Sequence, residues 1–248
     1  MLSLLMSIFI ALPMTVLGAR TLVLVDNMST RYSHSQFFKS LSNRSHELTF
    51  KSADDASLAL FKYGEPLYDN LILFCPTVEN FGGSISVREI VDFIDNGGNV
   101  LIGADSSLSG IIQELANEVN FEFDEEQTYV IDHMHYDVSS DEGHHTTIVA
   151  EPNQLIPAKY IVGEPSDRPI LFRGVGLVLQ KASPLAVEIL TASSTAYSHK
   201  PGQPVQQYPN AVGKSTILIG ALQARNNGRV LLTGSLDLFS GYSNVCVA

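Results

Sequence analysis

The chain contains 248 residues, of which 45% are hydrophobic and 17% are charged, so it can bury enough apolar surface to fold as one large domain or two small ones. Its net charge is -11 and its lysines and arginines are scattered, which argues against nucleic acid as a partner, because a polyanion needs a basic surface. Only two cysteines are present, Cys75 and Cys246, which excludes a disulfide scaffold and leaves open whether the two pair or stay free.

Residues 1–19 contain no charged side chain and predict a secretory signal peptide. An apolar run over residues 2–14 is followed by Gly18 and Ala19, small residues at which a signal peptidase could cleave. The run has no preceding Lys or Arg and is almost long enough to cross a bilayer, so an uncleaved anchor is the alternative, although Pro13 favours the signal peptide. Beyond this segment the sequence predicts no transmembrane helix.

Strands and helices are predicted to alternate over residues 20–124. Continuous apolar runs indicate strands buried on both faces, and apolar residues at helical spacing indicate the helices between them. The clearest helix ends at Gly97-Gly98, the glycines that a helix terminus prefers. The predicted strands are 21–25, 47–50, 70–75 and 99–102, and the predicted helices are 32–41, 58–62, 86–96 and 108–119. This alternation favours a doubly wound, mostly parallel α/β sheet of the flavodoxin-like type.

The character of the chain changes after Phe123, and residues 125–240 are predicted to be a β-rich continuation of the same region. The strand around 215–224 and the strand around 229–234 flank Asn227-Gly228, a strong hairpin signal. Shorter strand-like runs are 161–162, 170–172, 177–179 and 187–190. These strands either form a second lobe or extend the first sheet, and both arrangements stay open.

An active site on such a fold would lie at the carboxyl ends of the parallel strands. This rule places one set of polar side chains on a common rim: Asp26, Asn27, Cys75, Thr77, Asp105, Ser106 and Ser107. A nucleophile elbow would fit the strand-to-helix turn at 103–107, but its apex is Asp105 instead of Ser or Cys. Cys75 has no histidine nearby in sequence to act as its base. We therefore predict no catalytic residue and no cofactor, and regard Asp26, Asp105 and Ser106 as a candidate ligand rim.

The histidine-rich segment 132–145 is the only pattern that resembles a metal site. On a strand, His133 and His135 would point to the same face, and two imidazoles with a carboxylate can bind zinc. His144 and His145 lie in a glycine-containing loop with no fixed relation to that pair. A solvated acidic loop explains the same composition, so no metal is predicted.

Two acceptor sequons for N-linked glycosylation occur, and both would be accessible to the transferase only in the secretory pathway. Asn43 follows a predicted helix and is expected to be exposed. Asn27 lies in a tight strand-to-helix turn, so Asn43 is the favoured site.

Several long segments, in the same order along the chain, resemble the DDOST-type subunits of the endoplasmic-reticulum oligosaccharyltransferase. Such co-linear segments are more specific than any single motif above. They are Leu22–Asp26, Tyr32–Phe38, Arg173–Gly176, Gln207–Lys214, Leu222–Asn227 and Gly234–Phe239.

This resemblance implies a non-catalytic accessory subunit that helps to hold a membrane complex together, with other subunits as partners, including the membrane-embedded catalytic one. It implies a location on the lumenal side of the endoplasmic reticulum and a fold similar to class-I glutamine amidotransferases, in which Asp105 replaces the nucleophile. Such subunits would continue after Ser240 into a β domain and a membrane helix, whereas residues 241–248 diverge, so a C-terminally truncated lumenal fragment is expected.

Two alternatives follow from the residues themselves. One is an amidotransferase-like hydrolase that uses Cys75 or a metal at His133 and His135. The other is a domain that binds a glycan or a peptide at Asp26 and Asp105.

Overall fold

A mixed sheet forms the centre of the computed structural model, which describes residues 18–163 and 167–240. The predicted signal peptide up to residue 17, the tail 241–248 and Cys246 lie outside the described residues. The strands are β1 (Ala19–Val25), β2 (His46–Ser52), β3 (Phe61–Lys62), β4 (Glu65–Pro66), β5 (Asn70–Phe74), β6 (Asn99–Gly103), β7 (Phe121–Phe123), β8 (Tyr129–Ile131), β9 (Ile148–Ala150), β10 (Ile170–Phe172), β11 (Leu177–Leu179), β12 (Ala186–Thr191), β13 (Tyr197–His199), β14 (Ile217–Gln223) and β15 (Arg229–Thr233). The helices are α1 (Thr30–Ser33), α2 (Ser35–Asn43), α3 (Val87–Asp95), α4 (Gly110–Glu118) and α5 (Lys159–Val162), and three 3-10 turns cover Pro152–Gln154, Gly213–Ser215 and Asp237–Phe239.

Five strands of the central sheet are parallel, in the spatial order β2-β1-β5-β6-β15. Numbered among themselves, they follow the order 2-1-3-4-5 of flavodoxin-like sheets. The doubly wound, mostly parallel fold expected from the sequence is therefore confirmed. The order in which strands are added to the sheet reverses between β1 and β5, and ligands bind such sheets in the crevice at that reversal.

The parallel strands are apolar on both faces because helices cover both faces. Alternate side chains of β1 and β5, such as Leu24 and Leu73, belong to the same buried cluster as Phe93 of α3 and Leu115 of α4. The intervening side chains form a second cluster with Phe38 of α2; they are Val23, Val25, Ile72 and Phe74. A strand between two helical layers needs apolar side chains on both faces, so its sequence is continuously apolar and does not alternate with polar residues.

Antiparallel strands from the second half of the chain extend the same sheet. Strand β14 pairs with β15, β11 and β12, and β7 lies at the edge beyond β11. The sequence left open whether these strands form a second lobe or extend the first sheet. In the structure they extend the first sheet. A further buried cluster lies under this half; it includes Val130, Ile148, Phe172, Leu190 and Leu218.

Helix α3 shows how local sequence sets the helix bounds. At its start, the Ser86 hydroxyl accepts a hydrogen bond from the Glu89 N–H at 3.2 Å. At its end, Gly97 N–H donates to the Ile94 carbonyl and Gly98 N–H to the Phe93 carbonyl, with φ +89° at Gly97. This is a Schellman motif, which needs glycine at the left-handed position. The predicted helix over 86–96 is confirmed.

Two short predicted elements are wrong. Residues 58–62 are not a helix: β3 and β4 form a hairpin there, because Tyr63 and Gly64 both have positive φ (+55° and +85°), as a two-residue hairpin turn requires. Residues 161–162 are not a strand but the end of α5, which stops at Gly163 with φ +83°. Runs this short carry too little periodicity to separate the two states.

Two glycines allow the segment around Gly174 to pack directly against the backbone just after β15. The Val175 N–H donates to the Gly234 carbonyl at 3.0 Å. A Cβ at Gly174 would lie 1.9 Å from the Gly234 oxygen, and a Cβ at Gly234 would lie 1.8 Å from the Val175 oxygen. Only glycine fits at either position, and each of these glycines lies in a segment that carries the resemblance.

None of the helices in the described ranges is both long and apolar enough to cross a membrane.

Candidate functional site

The fold brings Asp26 and Asp105 to one rim, at the carboxyl ends of β1 and β6, with Thr77 following β5 between them. The Asp26 carboxylate accepts hydrogen bonds from the Thr77 N–H at 3.0 Å and from the Thr77 hydroxyl at 2.7 Å. This contact joins the ends of β1 and β5, between which the strand order reverses. Sheets of this type bind ligands at that position.

Asp105 occupies the apex of the turn after β6, where a nucleophile elbow would place a nucleophile. Its Oδ1 accepts a hydrogen bond from the Ser107 N–H at 2.7 Å. Burial raises the pKa of Asp105, the Ser107 bond opposes that rise, and the negative charges of Asp26 and Asp237 add to it. The charge of Asp237, in the 3-10 turn after β15, thus acts on Asp105, a relation that sequence reasoning did not predict.

Ser106 is buried beneath the rim, and its carbonyl accepts a hydrogen bond from the Gln127 N–H at 2.6 Å. Of the three predicted rim residues, Asp26 is exposed, Asp105 is half-buried and Ser106 is buried.

The Cys75 thiol is shielded from solvent, with 0% of the residue exposed. Burial raises the pKa of Cys75 well above its ordinary value, and the charge of Asp26 raises it further. A thiol held in its neutral form is a poor nucleophile. The His34 ring lies on the opposite face of the sheet, against Phe74, and its Nε2 is 3.1 Å from the Leu236 carbonyl. No base is therefore supplied to the thiol from this side.

His133 and His135 do not lie on one face of a strand. Strand β8 ends at Ile131, so the same-face geometry expected for a strand is wrong. His133 hydrogen-bonds through Nδ1 to His145 and through Nε2 to the Tyr197 hydroxyl, at 3.0 Å. His135 instead contacts the buried carboxylate of Asp132, at 3.2 Å.

Buried Asp132 joins this segment to residues 193–195. Its carboxylate accepts hydrogen bonds from the Met134 and His135 N–H groups and from the Ser193 and Thr195 hydroxyls. Burial alone would raise the pKa of Asp132, but these hydrogen bonds outweigh it and the pKa is lowered. The carboxylate acts as a connector between two loops.

Asp141 orders the loop that carries His144 and His145. Its two oxygens accept four backbone N–H bonds, from Gly143, His145, Thr146 and Thr147, at 2.7 to 3.2 Å. Burial would raise the pKa of Asp141, yet the four bonds lower it to about 2. Over residues 18–163 and 167–240, no three His, Cys, Asp or Glu side chains come together in a way that could hold a metal ion.

The two sequons lie at exposed positions. Asn43 is the last residue of α2 and its side chain is exposed. Asn27 is also exposed, in the turn between β1 and α1, but its Oδ1 accepts a hydrogen bond from the Ser29 N–H at 2.8 Å. Preferential glycosylation of Asn43 remains a prediction.

A cleft of about 660 Å³ is lined by none of the rim residues, and sequence reasoning did not find it. One wall comes from β7 and the turn after it, and the other from β13 and the loop over 203–210. The segment 207–214 carries part of the resemblance, but nothing in its spacing indicates a cavity, because the two walls are distant in sequence.

Comparisons with known proteins identify similar chains. A family model described as OST48, N-terminal domain, matches residues 13–244. Three curated relatives bear the name dolichyl-diphosphooligosaccharide–protein glycosyltransferase 48 kDa subunit: those of Danio rerio (57% identical over 91% of this chain), Drosophila melanogaster (52% over 91%) and Caenorhabditis elegans (47% over 90%). This chain spans 51% of each relative, about half its length.

Among solved structures, the crystal structure of a ThuA-like protein from Parabacteroides merdae is similar over 87% of this chain and 78% of its own, with 15% identity and a TM-score of 0.46.

Proposed function

The chain belongs to the OST48 N-terminal domain family, and from that membership we propose that it is an accessory subunit of oligosaccharyltransferase on the lumenal side of the endoplasmic reticulum. In this role it catalyses no step itself. It supports assembly of a complex that includes the membrane-embedded catalytic subunit, and thereby the N-linked glycosylation of nascent proteins. The observation that carries the proposal is the match of residues 13–244 to the family, with relatives that are themselves named as 48 kDa subunits of the glycosyltransferase.

The chemistry of the rim supports a role without turnover. One carboxylate oxygen of Asp26, Oδ2, accepts both hydrogen bonds from Thr77, Asp105 is bonded to the turn that it belongs to, and Cys75 is buried with a raised pKa. A hydrolase at this position would need an accessible nucleophile and a base within hydrogen-bond reach. This rim offers carboxylates in their place.

Co-purification tests the assembly role. We would express the full chain with a tag after Ala248 in cells that make the other subunits, solubilise the microsomes in mild detergent and identify the captured proteins. We expect the tagged chain to bring down other oligosaccharyltransferase subunits. Recovery of the chain free of every other subunit would contradict the proposal.

A variant of the rim separates assembly from catalysis. We would replace Asp26 and Asp105 together by Asn, check the melting temperature, and measure glycosylation of a reporter in cells that depend on the introduced chain. If the domain acts through assembly, the variant supports the same reporter occupancy as the original chain, provided that it stays folded. Loss of occupancy with unchanged melting and unchanged co-purification would assign the rim a chemical role.

A further inference from the structure

The cleft between β7 and the loop over 203–210 is built differently from the rim. A ligand bound there would give the chain a function in addition to the assembly role proposed above. Its volume of about 660 Å³ lies within the usual range of small-ligand sites, roughly 300 to 1,000 Å³. Most such sites are lined by apolar side chains, whereas this one is lined mainly by polar groups. We infer that the cleft binds a neutral oligosaccharide.

Side-chain amides dominate the lining and are free to bind a ligand. Within the described part of the chain, none of these amide groups has a hydrogen-bond partner, and most of them are exposed. Each amide can donate through its NH₂ and accept through its carbonyl oxygen. Adjacent hydroxyl groups of a sugar ring also donate and accept, so they match an amide better than a pure donor or a pure acceptor. The five amides are Gln113, Gln203, Gln206, Gln207 and Asn210.

An aromatic ring and an unpaired hydroxyl complete the chemistry that a sugar needs. Tyr208 lines the cleft with 86% of its surface exposed, so its ring is free to stack on the C–H face of a sugar. Ser198, on β13 in the same wall, has a buried hydroxyl without a hydrogen-bond partner among the described residues. An unpaired buried hydroxyl is costly, and a ligand or an ordered water can satisfy it.

The charges around the cleft exclude anionic ligands such as phosphates, sulfated glycans and acidic peptides. Glu122 and Glu125 line the wall, and Asp124 lies buried between them. Lys200 also lines the cleft, but its Nζ lies 3.9 Å from Glu125 Oε2 and is therefore paired with one of these carboxylates. An anion would face net negative charge, whereas carboxylates readily accept hydrogen bonds from neutral hydroxyls.

An extended peptide is the competing occupant, and the lining favours it less. Peptide-binding grooves combine a free strand edge with apolar pockets for alternate side chains. Strand β7 is an edge strand and forms one wall, but its Phe123 is almost fully buried and the exposed Val205 is not part of the lining. The other apolar residues of the lining are Pro204 and Pro209, whose rings are small. The cleft therefore offers no apolar pocket for a peptide side chain.

Isothermal titration calorimetry on the purified full chain tests the inference. The probes are mannotetraose and chitotetraose as neutral sugars, a heparin-derived tetrasaccharide as the anion, and an uncharged hexapeptide as the extended chain. We expect at least one neutral tetrasaccharide to bind and the heparin fragment not to bind. Failure of both neutral sugars at the highest soluble concentration overturns the inference, as does preference for the peptide or for the heparin fragment.

Two variants and one control locate the binding. Tyr208→Ala should weaken affinity about tenfold by removing the stacking surface, and Gln207→Ala about fivefold by removing one amide. Tyr160→Ala is the matched control, because Tyr160 on α5 is also highly exposed but does not line the cleft. Equal affinity of Tyr208→Ala and the original chain would place the sugar elsewhere and refute the proposal.

Failure here and failure of the assembly role are distinguishable. Co-purification of Tyr208→Ala from microsomes reports on assembly alone, and we expect it to match the original chain. A chain that assembles but binds no neutral sugar refutes the cleft inference and leaves the accessory role standing.

Discussion

Cys75 is a side chain whose environment decides its reactivity. It is fully buried in the cluster beneath α3 and α4, and burial together with Asp26 raises its pKa. In a Cys246→Ser background, which leaves one thiol, we expect a maleimide probe at pH 7.5 to label native Cys75 at least about 100-fold more slowly than the same variant in denaturing urea. Rapid labelling of the native protein would show an accessible thiolate and would reopen the hydrolase alternative.

Asp141 gives a pH-dependent prediction. Its pKa is about 2 in the folded protein against an ordinary value of 3.8, so the folded state binds a proton less readily than the unfolded state. Its contribution is therefore fully present above about pH 4 and is lost as the pH falls toward about 2. At pH 7, Asp141→Asn should lower the free energy of unfolding by about 1–2 kcal/mol, because the amide offers one acceptor oxygen to four N–H donors.

Urea denaturation at a series of pH values measures this effect. The difference between Asp141→Asn and the original chain should shrink between about pH 4 and pH 2. Glu142→Gln is the control, since that neighbouring side chain is exposed, and it should change stability by less than about 0.5 kcal/mol. A constant difference across the whole pH range would show that the Asp141 charge is not responsible.

Residue type and position along the chain were enough to place part of the rim. Asp26 and Asp105 each follow a strand, and parallel strands end at a common edge, so their proximity could be predicted. The contribution of Asp237 could not, because it depends on a 3-10 turn after β15. The hydrogen bond between His133 and Tyr197 could not be predicted either, since Tyr197 lies on a separate strand.

The end of α3 depends on a side chain from a distant hairpin. Asn226 Nδ2 donates to the Ile94 carbonyl at 3.1 Å and also to the Asp95 carbonyl. These carbonyls belong to the last turn of the helix, where no intrahelical donor is available. Asn226→Ala should therefore cost about 1–2 kcal/mol of stability, measured by urea denaturation.

The neighbouring Asn227 is the matched control for this prediction. It has φ +76°, and its Oδ1 accepts only an exposed hydrogen bond from Gln223. Asn227→Gly preserves the left-handed backbone and should cost less than about 0.5 kcal/mol. If Asn226→Ala and Asn227→Gly were equally stable, the contact of Asn226 with the helix end would not contribute to the free energy of unfolding.

Among the elements, strands buried on both faces and strongly amphipathic helices were predictable. The patterns for α3 and α4 cover about three helical turns, and those for β1, β5 and β6 are short but continuously apolar. The hairpin of β3 and β4 was not predicted, although Tyr63-Gly64 is a usable turn signal. Its two-residue strands are too short for alternation to be visible.

At the scale of the whole molecule, β15 joins the two halves of the chain. It is parallel to β6 on one side and antiparallel to β14 on the other. We expect a chain covering residues 18–240 to unfold in one cooperative transition, and residues 20–124 alone to lack a native fold, because β6 would become an uncovered edge.

Circular dichroism melts and amide NMR dispersion of the two fragments measure this. A dispersed spectrum and a cooperative melt for residues 20–124 would show that the predicted division of the chain at residue 124 marks an independent folding unit. The longer fragment is the control, since it retains all the described strands.

The late position of β15 constrains the order of events during synthesis. A polypeptide threaded into a compartment from its amino terminus presents β6 long before its neighbour Arg229–Thr233 has emerged. Until then the apolar edge is open to incorrect partners, and pairings this distant along the chain form slowly. The parallel half of the sheet can accordingly be completed only after Arg229–Thr233 has been synthesised.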